Sequence, residues 1–270
     1  MPRIDFLNPF GTPVYDELIV ETLTPYARAD TELVIRHLVN SPENIDYYWP
    51  KALVEDEIYE HVMAAETEGF DAVIVGCCYD PGVRVARELV SIPVVGPLEA
   101  ALQMAAYFGH STTVVTDHRK AVPYIKDLVR VYGYEPFSKD VDCIDWFVTD
   151  MIQKPDETAR DAFAKVKQVA DQQHVESVIL GCTIIAGCLE RAIQGGRTEY
   201  LSFPIVNPNL AALKMAEALA DLYRQGRYNI NRSGYYGRYQ DHNATEFAEV
   251  KARFGTRLGK PKPAPEASRR

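Results

Sequence analysis

Two Gly-Cys dipeptides stand 105 residues apart in matching settings, Phe70-Asp-Ala-Val-Ile-Val-Gly-Cys77 and Val175-Glu-Ser-Val-Ile-Leu-Gly-Cys182. Each reads as a short buried strand ending on a cysteine. A thiol is a weak acid and its thiolate a competent base. Two thiols facing one carbon could therefore take a proton from one face and return one to the other. Such a pair inverts a stereocentre α to a carbonyl and needs no metal or cofactor, provided nearby N–H and hydroxyl groups, here those of Thr116 and Thr183, stabilise the enolate-like intermediate. A helical pattern follows each cysteine directly, so a helix N-terminus is expected to draw each thiol pKa down toward neutrality. The plainer alternative is a pair of small thiols packed beneath helices, a common fate of cysteine.

Placing two thiols alike requires two strands with alike surroundings. Short β-branched runs at Ile4–Leu7, Leu33–Leu38, Ala72–Val75, Pro93–Val95, Thr112–Val115, Ser177–Leu180 and Phe203–Val206 alternate with helical-period stretches at about 14–27, 51–68, 82–90, 98–108, 119–132, 156–173, 184–194 and 209–225. This is the pattern of an α/β protein with parallel strands. The repeat extends beyond the cysteine strands. Ile92-Pro-Val-Val95 matches Phe203-Pro-Ile-Val206, and Asp5-Phe-Leu-Asn8 matches Thr113-Val-Val-Thr116. Repetition of whole βα units predicts two pseudo-symmetric lobes with the site in the cleft between them. The expected division is 1–97 plus 205–226 for the first lobe and 98–204 for the second. Asn8, Cys77, Thr116 and Cys182 then fall at strand carboxyl ends, where open parallel sheets meet their ligands.

The 270 residues, 47% apolar and 25% charged, suit two packed halves that bury their own cores without metal or disulfide help. A net charge of −9 argues against nucleic acid or an anionic membrane as partner and leaves a small molecule. No run approaches 18 apolar residues, and the start Met1-Pro-Arg-Ile-Asp-Phe-Leu-Asn-Pro-Phe-Gly lacks the regions of a signal peptide. An odd count of five cysteines fits free thiols in a reducing compartment, so a cytoplasmic location is expected. Zinc-type Cys and His spacings, dinucleotide and P-loop glycine motifs and the Gly-x-Ser-x-Gly elbow are all absent. Cys143 and Cys188 lack matching partners and read as structural. Cys78, next to Cys77 on an extended segment, points to the opposite face and reads as core. Asp80-Pro81-Gly82 reads either as turn chemistry with Pro81 opening a helix at N1, or as Asp80 capping the helix whose N-terminus points at the site. The loop Tyr47-Tyr48-Trp49-Pro50 suits a substrate wall and a lobe contact equally. From Arg227 the chain turns basic, with ten Lys or Arg against four Asp or Glu. This 227–270 tail is expected to be partly disordered, above all its last dozen residues, with its tyrosines packing on the acidic body or on a neighbouring subunit.

Over residues 3–225 the chain resembles the aspartate/glutamate/hydantoin racemase superfamily, nearest its hydantoin and allantoin racemase branch. The resemblance is carried by Leu7-Asn8-Pro9 with Thr12, Gly76-Cys77 with Asp80-Pro81-Gly82, Gly96-Pro97-Leu98-Glu99-Ala100-Ala101, Val114-Val115-Thr116 and Leu180-Gly181-Cys182. It implies two Rossmann-like (flavodoxin-like) lobes and a cofactor-independent, homo-oligomeric racemase in which Cys77 and Cys182 are the acid/base pair. Asn8 and Thr116 would hold substrate oxygens. The full substrate-binding set expected is Asn8, Thr12, Tyr48, Cys78, Tyr79, Thr116 and Thr183, with no metal. A hydantoin-like ring is favoured over a free amino acid. Departures are Thr183, a feature of the amino-acid racemases, Tyr79 where hydantoin racemases tend to carry glycine, and the aromatic loop at 47–49. The competing readings are an amino-acid racemase, a maleate-isomerase-like or arylmalonate-decarboxylase-like enzyme, and a small-molecule binding protein on the same scaffold. Retention of both cysteines argues against the decarboxylase pattern.

Overall fold

The computed structural model describes residues 1–254. The Pro- and Lys-rich stretch 259–270, expected to be disordered, lies outside the described residues. Eight strands form two four-stranded parallel sheets. The first holds β1 (Arg3–Asn8), β2 (Glu32–His37), β3 (Ala72–Val75) and β4 (Val94–Val95) in the order β2-β1-β3-β4. The second holds β5 (Thr112–Thr116), β6 (Ser138–Cys143), β7 (Ser177–Leu180) and β8 (Ile205–Val206) in the order β6-β5-β7-β8. The two orders are the same, which makes the sequence repeat a repeat of architecture. Strands β3 and β7 are buried along their whole length, which is why they read as unbroken aliphatic runs. Strand order reverses between β1 and β3, and again between β5 and β7, and a crevice opens at the carboxyl end of each switch point.

Strand β6 was not legible in the sequence. Ser-Lys-Asp-Val-Asp-Cys carries one aliphatic residue, but an edge strand need bury only some of its positions, here Ser138, Val141 and Cys143. The expected lobe division also needs correction. Ile205–Val206 pair with β7, so 205–206 complete the second sheet and the return to the first lobe begins after them.

The helices are α1 (Asp16–Leu23), α2 (Tyr48–Thr67), α3 (Val83–Leu89), α4 (Pro97–Ala105), α5 (Ala121–Val131), α6 (Val148–Gln153), α7 (Pro155–Gln173), α8 (Thr183–Gln194), α9 (Pro208–Arg224), α10 (Tyr239–His242) and α11 (Ala244–Phe254). Two of them are exchanged. Helix α4 leaves the first sheet and packs on β7 and β8, whereas α9 leaves the second sheet and packs on β1, β3 and β4. The two also pack on each other, tying the lobes behind the site. Helix α9 caps itself, Asn207 accepting from the N–H groups of Asn209 and Leu210. Helix α4 starts at Gly96, which has no side chain, and Asp80 supplies the cap by accepting from the N–H groups of Leu98 and Glu99 at 3.1 and 3.0 Å. A Cβ at position 96 would lie 2.5 Å from the Asp80 carboxyl carbon, so only glycine fits.

The basic tail folds back on the body. Arg232 donates to the carbonyls of Arg87, Glu88 and Val90, and Arg238 to the Ser91 hydroxyl, clasping the end of α3. Among the described residues no helix is long and apolar enough to cross a membrane.

Candidate active site

Each cysteine is set by the glycine before it. The N–H of Gly76 donates to the Leu7 carbonyl and that of Gly181 to the Val115 carbonyl, both at 2.7 Å. A Cβ at Gly76 would strike the Phe6 ring at 2.3 Å, and one at Gly181 would strike Val114 at 2.7 Å. Glycine thus lets each strand end press against its neighbour, and the next residue turns into the cleft. Cys77 and Cys182 both line one small cavity, with Phe10, Ile45 and Val148 as apolar wall and Asp46, Asp117 and Tyr79 as polar wall. Its free space is about 10 Å³, on the order of one water molecule. As it stands the cavity is too small for a ring-sized molecule, so its walls must part to admit one.

Beyond the cysteines the two halves differ. Cys182 is the N-cap of α8, and its sulfur faces the N–H groups of Ile185 and Ile184. Cys77 leads instead into a turn, α3 starts only at Val83, and a single N–H, that of Tyr79, faces its sulfur. The expectation of a helix N-terminus behind each thiol therefore holds for Cys182 and fails for Cys77. The expected fall in thiol pKa is not found on either side. Burial pushes Cys77 up to about 12, the Tyr79 N–H and the Lys51 ammonium pulling the other way. Burial, with the Asp117 carboxylate next in weight, holds Cys182 well above the usual thiol range.

The residues after the cysteines bind the lobes together across the cleft. Thr183 Oγ1 donates to the Gly76 carbonyl at 3.1 Å, and the Cys78 thiol to the Leu180 carbonyl at 3.8 Å. These are near-equivalent bonds running in opposite directions, and both residues also line the cavity. Tyr79 lines it too and donates its hydroxyl across the cleft to Asp117 at 2.9 Å. The remaining members of the expected set lie elsewhere. Asn8 donates to Asp16 at 2.5 Å, and Asp16 in turn meets His37 at 2.6 Å. Thr12 caps a short 3₁₀ turn. Thr116 spends its hydroxyl between Asp117 and the Gly181 carbonyl, both at 3.0 Å, so it is not poised for an enolate oxygen. Tyr48 donates to the Lys120 carbonyl and packs on Tyr124, and Tyr47 stacks on Phe147, so the aromatic loop is a lobe contact.

A sequence profile described as Asp/Glu/Hydantoin racemase matches residues 4–216. The chain belongs to that family. It is 27% identical over 217 residues to a hydantoin racemase of Rhizobium meliloti, covering 80% of this chain and 88% of that one. It is 28% identical over 220 residues to a hydantoin racemase of Pseudomonas sp. (strain NS671), covering 82% and 86%. Among solved structures, the fold matches an allantoin racemase from Klebsiella pneumoniae with a TM-score of 0.79 at 23% identity, covering 88% of this chain and 94% of that one. Within the family the chain therefore sits nearest the hydantoin and allantoin racemase branch.

Sequence reasoning stopped one residue short on β5. Asp117 follows Thr116 and completes the polar wall with Asp46, and His118 stands next to Asp46 outside the cavity lining. Burial works against the His118 imidazolium, but Asp46 and Asp117 outweigh it and raise its pKa. Asp46, Asp117 and His118 bring ligand-type atoms within 4.8 Å of one another. Asp117 already accepts from Tyr79, His118 Nε2 faces Asp46 at 3.7 Å, and the Lys51 ammonium lies nearby. The members of the cluster thus already face one another and the lysine. Lys51 was also missed, although its spacing gave a signal. It occupies the apolar stripe of α2 with Val54, Ile58, Val62 and Ala65, where a lysine has no ordinary place.

Proposed function

We propose that the protein is a cofactor-independent racemase that inverts a stereocentre α to a carbonyl in a hydantoin-like ring, with Cys77 and Cys182 as its acid/base pair. The observation that carries this reading is the pair of equivalent thiols, one from each lobe, lining a single cavity. One sulfur, as thiolate, removes the α-proton from its side; the other, as thiol, delivers a proton from the opposite side, and the roles are exchanged after turnover. A desolvated thiolate is a strong base, which suits a weakly acidic C–H, and the closed cavity keeps water from the carbanion. Cys78, Tyr79 and Thr183 shape the pocket and hold the lobes in register around it.

The polar wall favours a ring over a free amino acid. Asp46 Oδ2 is buried without a hydrogen-bond partner, and Asp117 stands beside it. A ring N–H group would satisfy the Asp46 oxygen, whereas an α-carboxylate brings it no donor. Self-association and a cytoplasmic location belong to the same reading, and light scattering tests the former.

The experiment is incubation in D₂O with single enantiomers of 5-substituted hydantoins, allantoin, amino acids and maleate, followed by NMR. Hydantoin inversion accompanied by α-deuterium is the expected result. Reaction of amino acids alone would replace the ring assignment. Reaction of maleate alone would replace racemisation by covalent chemistry, and ligand binding without exchange would leave a binding protein.

A further inference from the structure

Lys51 is 3% exposed and its Nζ has no hydrogen-bond partner. The ammonium lies 3.2 Å from the ring centre of Tyr79, 3.9 Å from that of Tyr124 and 5.2 Å from that of Tyr48. Three aromatic faces thus surround an ammonium that makes no hydrogen bond. The cage is built by both lobes, Lys51 and Tyr48 from α2, Tyr79 from the turn after β3, and Tyr124 from α5. Tyr79 stands two residues from Cys77 and lines the same cavity, so the caged charge sits behind the Cys77 side of the cleft.

That placement answers an asymmetry. Cys182 has the N-terminus of α8, whereas Cys77 has no helix start beside it. Lys51 is the positive charge that favours a Cys77 thiolate, whereas Asp117 opposes a thiolate at both sulfurs. We propose that Lys51 is a positioning residue for the acid/base pair, its caged ammonium favouring negative charge on the Cys77 side so that Cys77, rather than Cys182, is the thiol that gives up its proton first. This assignment rests on the racemase reading of the two cysteines.

The groups facing Lys51 are Cys77, Asp117 and Asp46, which favour its charge, and Lys120 and His118, whose positive charges oppose it. Burial dominates and brings Lys51 down to about 8. The lysine is therefore charged at neutral pH and loses its hold on Cys77 as pH rises past that value.

The test is iodoacetamide labelling of the full chain between about pH 6 and 11, resolved to each cysteine by peptide fragmentation, on the wild type, Lys51→Met and Lys51→Arg. In the wild type Cys77 is expected to label faster than Cys182 near pH 7, where Lys51 is charged. Lys51→Met is expected to slow Cys77 labelling near pH 7 roughly tenfold, while Cys182 changes less. Lys51→Arg is expected to restore most of the difference. Faster wild-type labelling at Cys182, or an unchanged Cys77 rate near pH 7 in folded Lys51→Met, overturns the proposal. Should Lys51→Met not fold, the wild-type order decides alone. Deuterium exchange by the wild type separates the two readings. The expected labelling order without exchange removes the racemase reading and leaves the lysine–thiol coupling, while exchange with the wrong order removes Lys51 alone.

Discussion

The two lobes share strand order and a Gly-Cys at the same strand end, yet each stabilises charge at its sulfur by different means. In the second lobe the chain runs straight from Cys182 into α8, and backbone N–H groups converge on the thiol. In the first lobe the chain makes a turn through Asp80, which leaves to cap α4, and the charge near Cys77 comes from a lysine on another element. A duplicated fold can therefore keep its chemistry symmetric in the two thiols while the electrostatics behind them diverge. The backbone device is built into the helix start, whereas the lysine device is a single side chain that one substitution removes.

The comparison breaks most plainly at the cysteines. Cys77→Ser and Cys182→Ser are each expected to lower the rate of inversion by ~10³-fold or more, because a serine hydroxyl is a poor base at neutral pH; polarimetry on a single-enantiomer hydantoin reads the loss. Survival of inversion in one of the two would mean that the halves are not partners.

Asp80 sharpens the difference between the turns. Burial raises its pKa to about 7, against the hydrogen bonds from Tyr132 and the α4 N–H groups. The folded carboxyl keeps its proton up to that pH, whereas the unfolded one releases it near pH ~4. Its contribution to stability is thus complete below pH ~4 and is lost as pH rises toward 7, a decline of ~2–4 kcal/mol. Asp80→Asn is expected to flatten that decline in denaturant titrations. The second lobe has Ile185 at the equivalent place and supplies no counterpart.

Lys51→Met is expected to be more stable than the wild type at pH 7 while being a poorer catalyst. Lowering a lysine to about 8 corresponds to ~3 kcal/mol of burial cost, offset in part by ~1–2 kcal/mol of attraction to the rings, for a net gain of ~1–2 kcal/mol on removal. Thermal melting would show it, and a fall in melting temperature would mark the lysine as structural. The smallest effects belong to the cross-cleft bonds. Thr183→Val is expected to cost ~1–2 kcal/mol by leaving the Gly76 carbonyl unpaired. Cys78→Ala is expected to cost less than its mirror-image partner, since a thiol is a weak donor.

Much of this was legible before any coordinates. Aliphatic runs give away strands buried on both faces, so β3 and β7 and the Gly-Cys repeat placed both thiols in one cleft. Edge strand β6 escaped because a half-exposed strand needs few aliphatic residues. The polar wall escaped because Asp46 arrives from a loop with no periodicity, and because Asp117 follows the strand end at which the pattern stops. Asn8 and Thr116 were placed correctly at strand ends, but residue type at a strand end does not reveal whether a side chain is already committed to a neighbour. Thr183 and Cys78 show the converse, since each bridges the lobes and borders the cavity.

The central claim is that two sulfurs serve one carbon from opposite faces, and stereospecific exchange in the single-cysteine variants tests it most directly. With one thiol left, proton exchange in D₂O is confined to the enantiomer whose α-hydrogen faces that thiol. Cys77→Ser is predicted to exchange one enantiomer of a hydantoin and Cys182→Ser the other, each without inversion. Exchange of the same enantiomer by both variants would contradict the account.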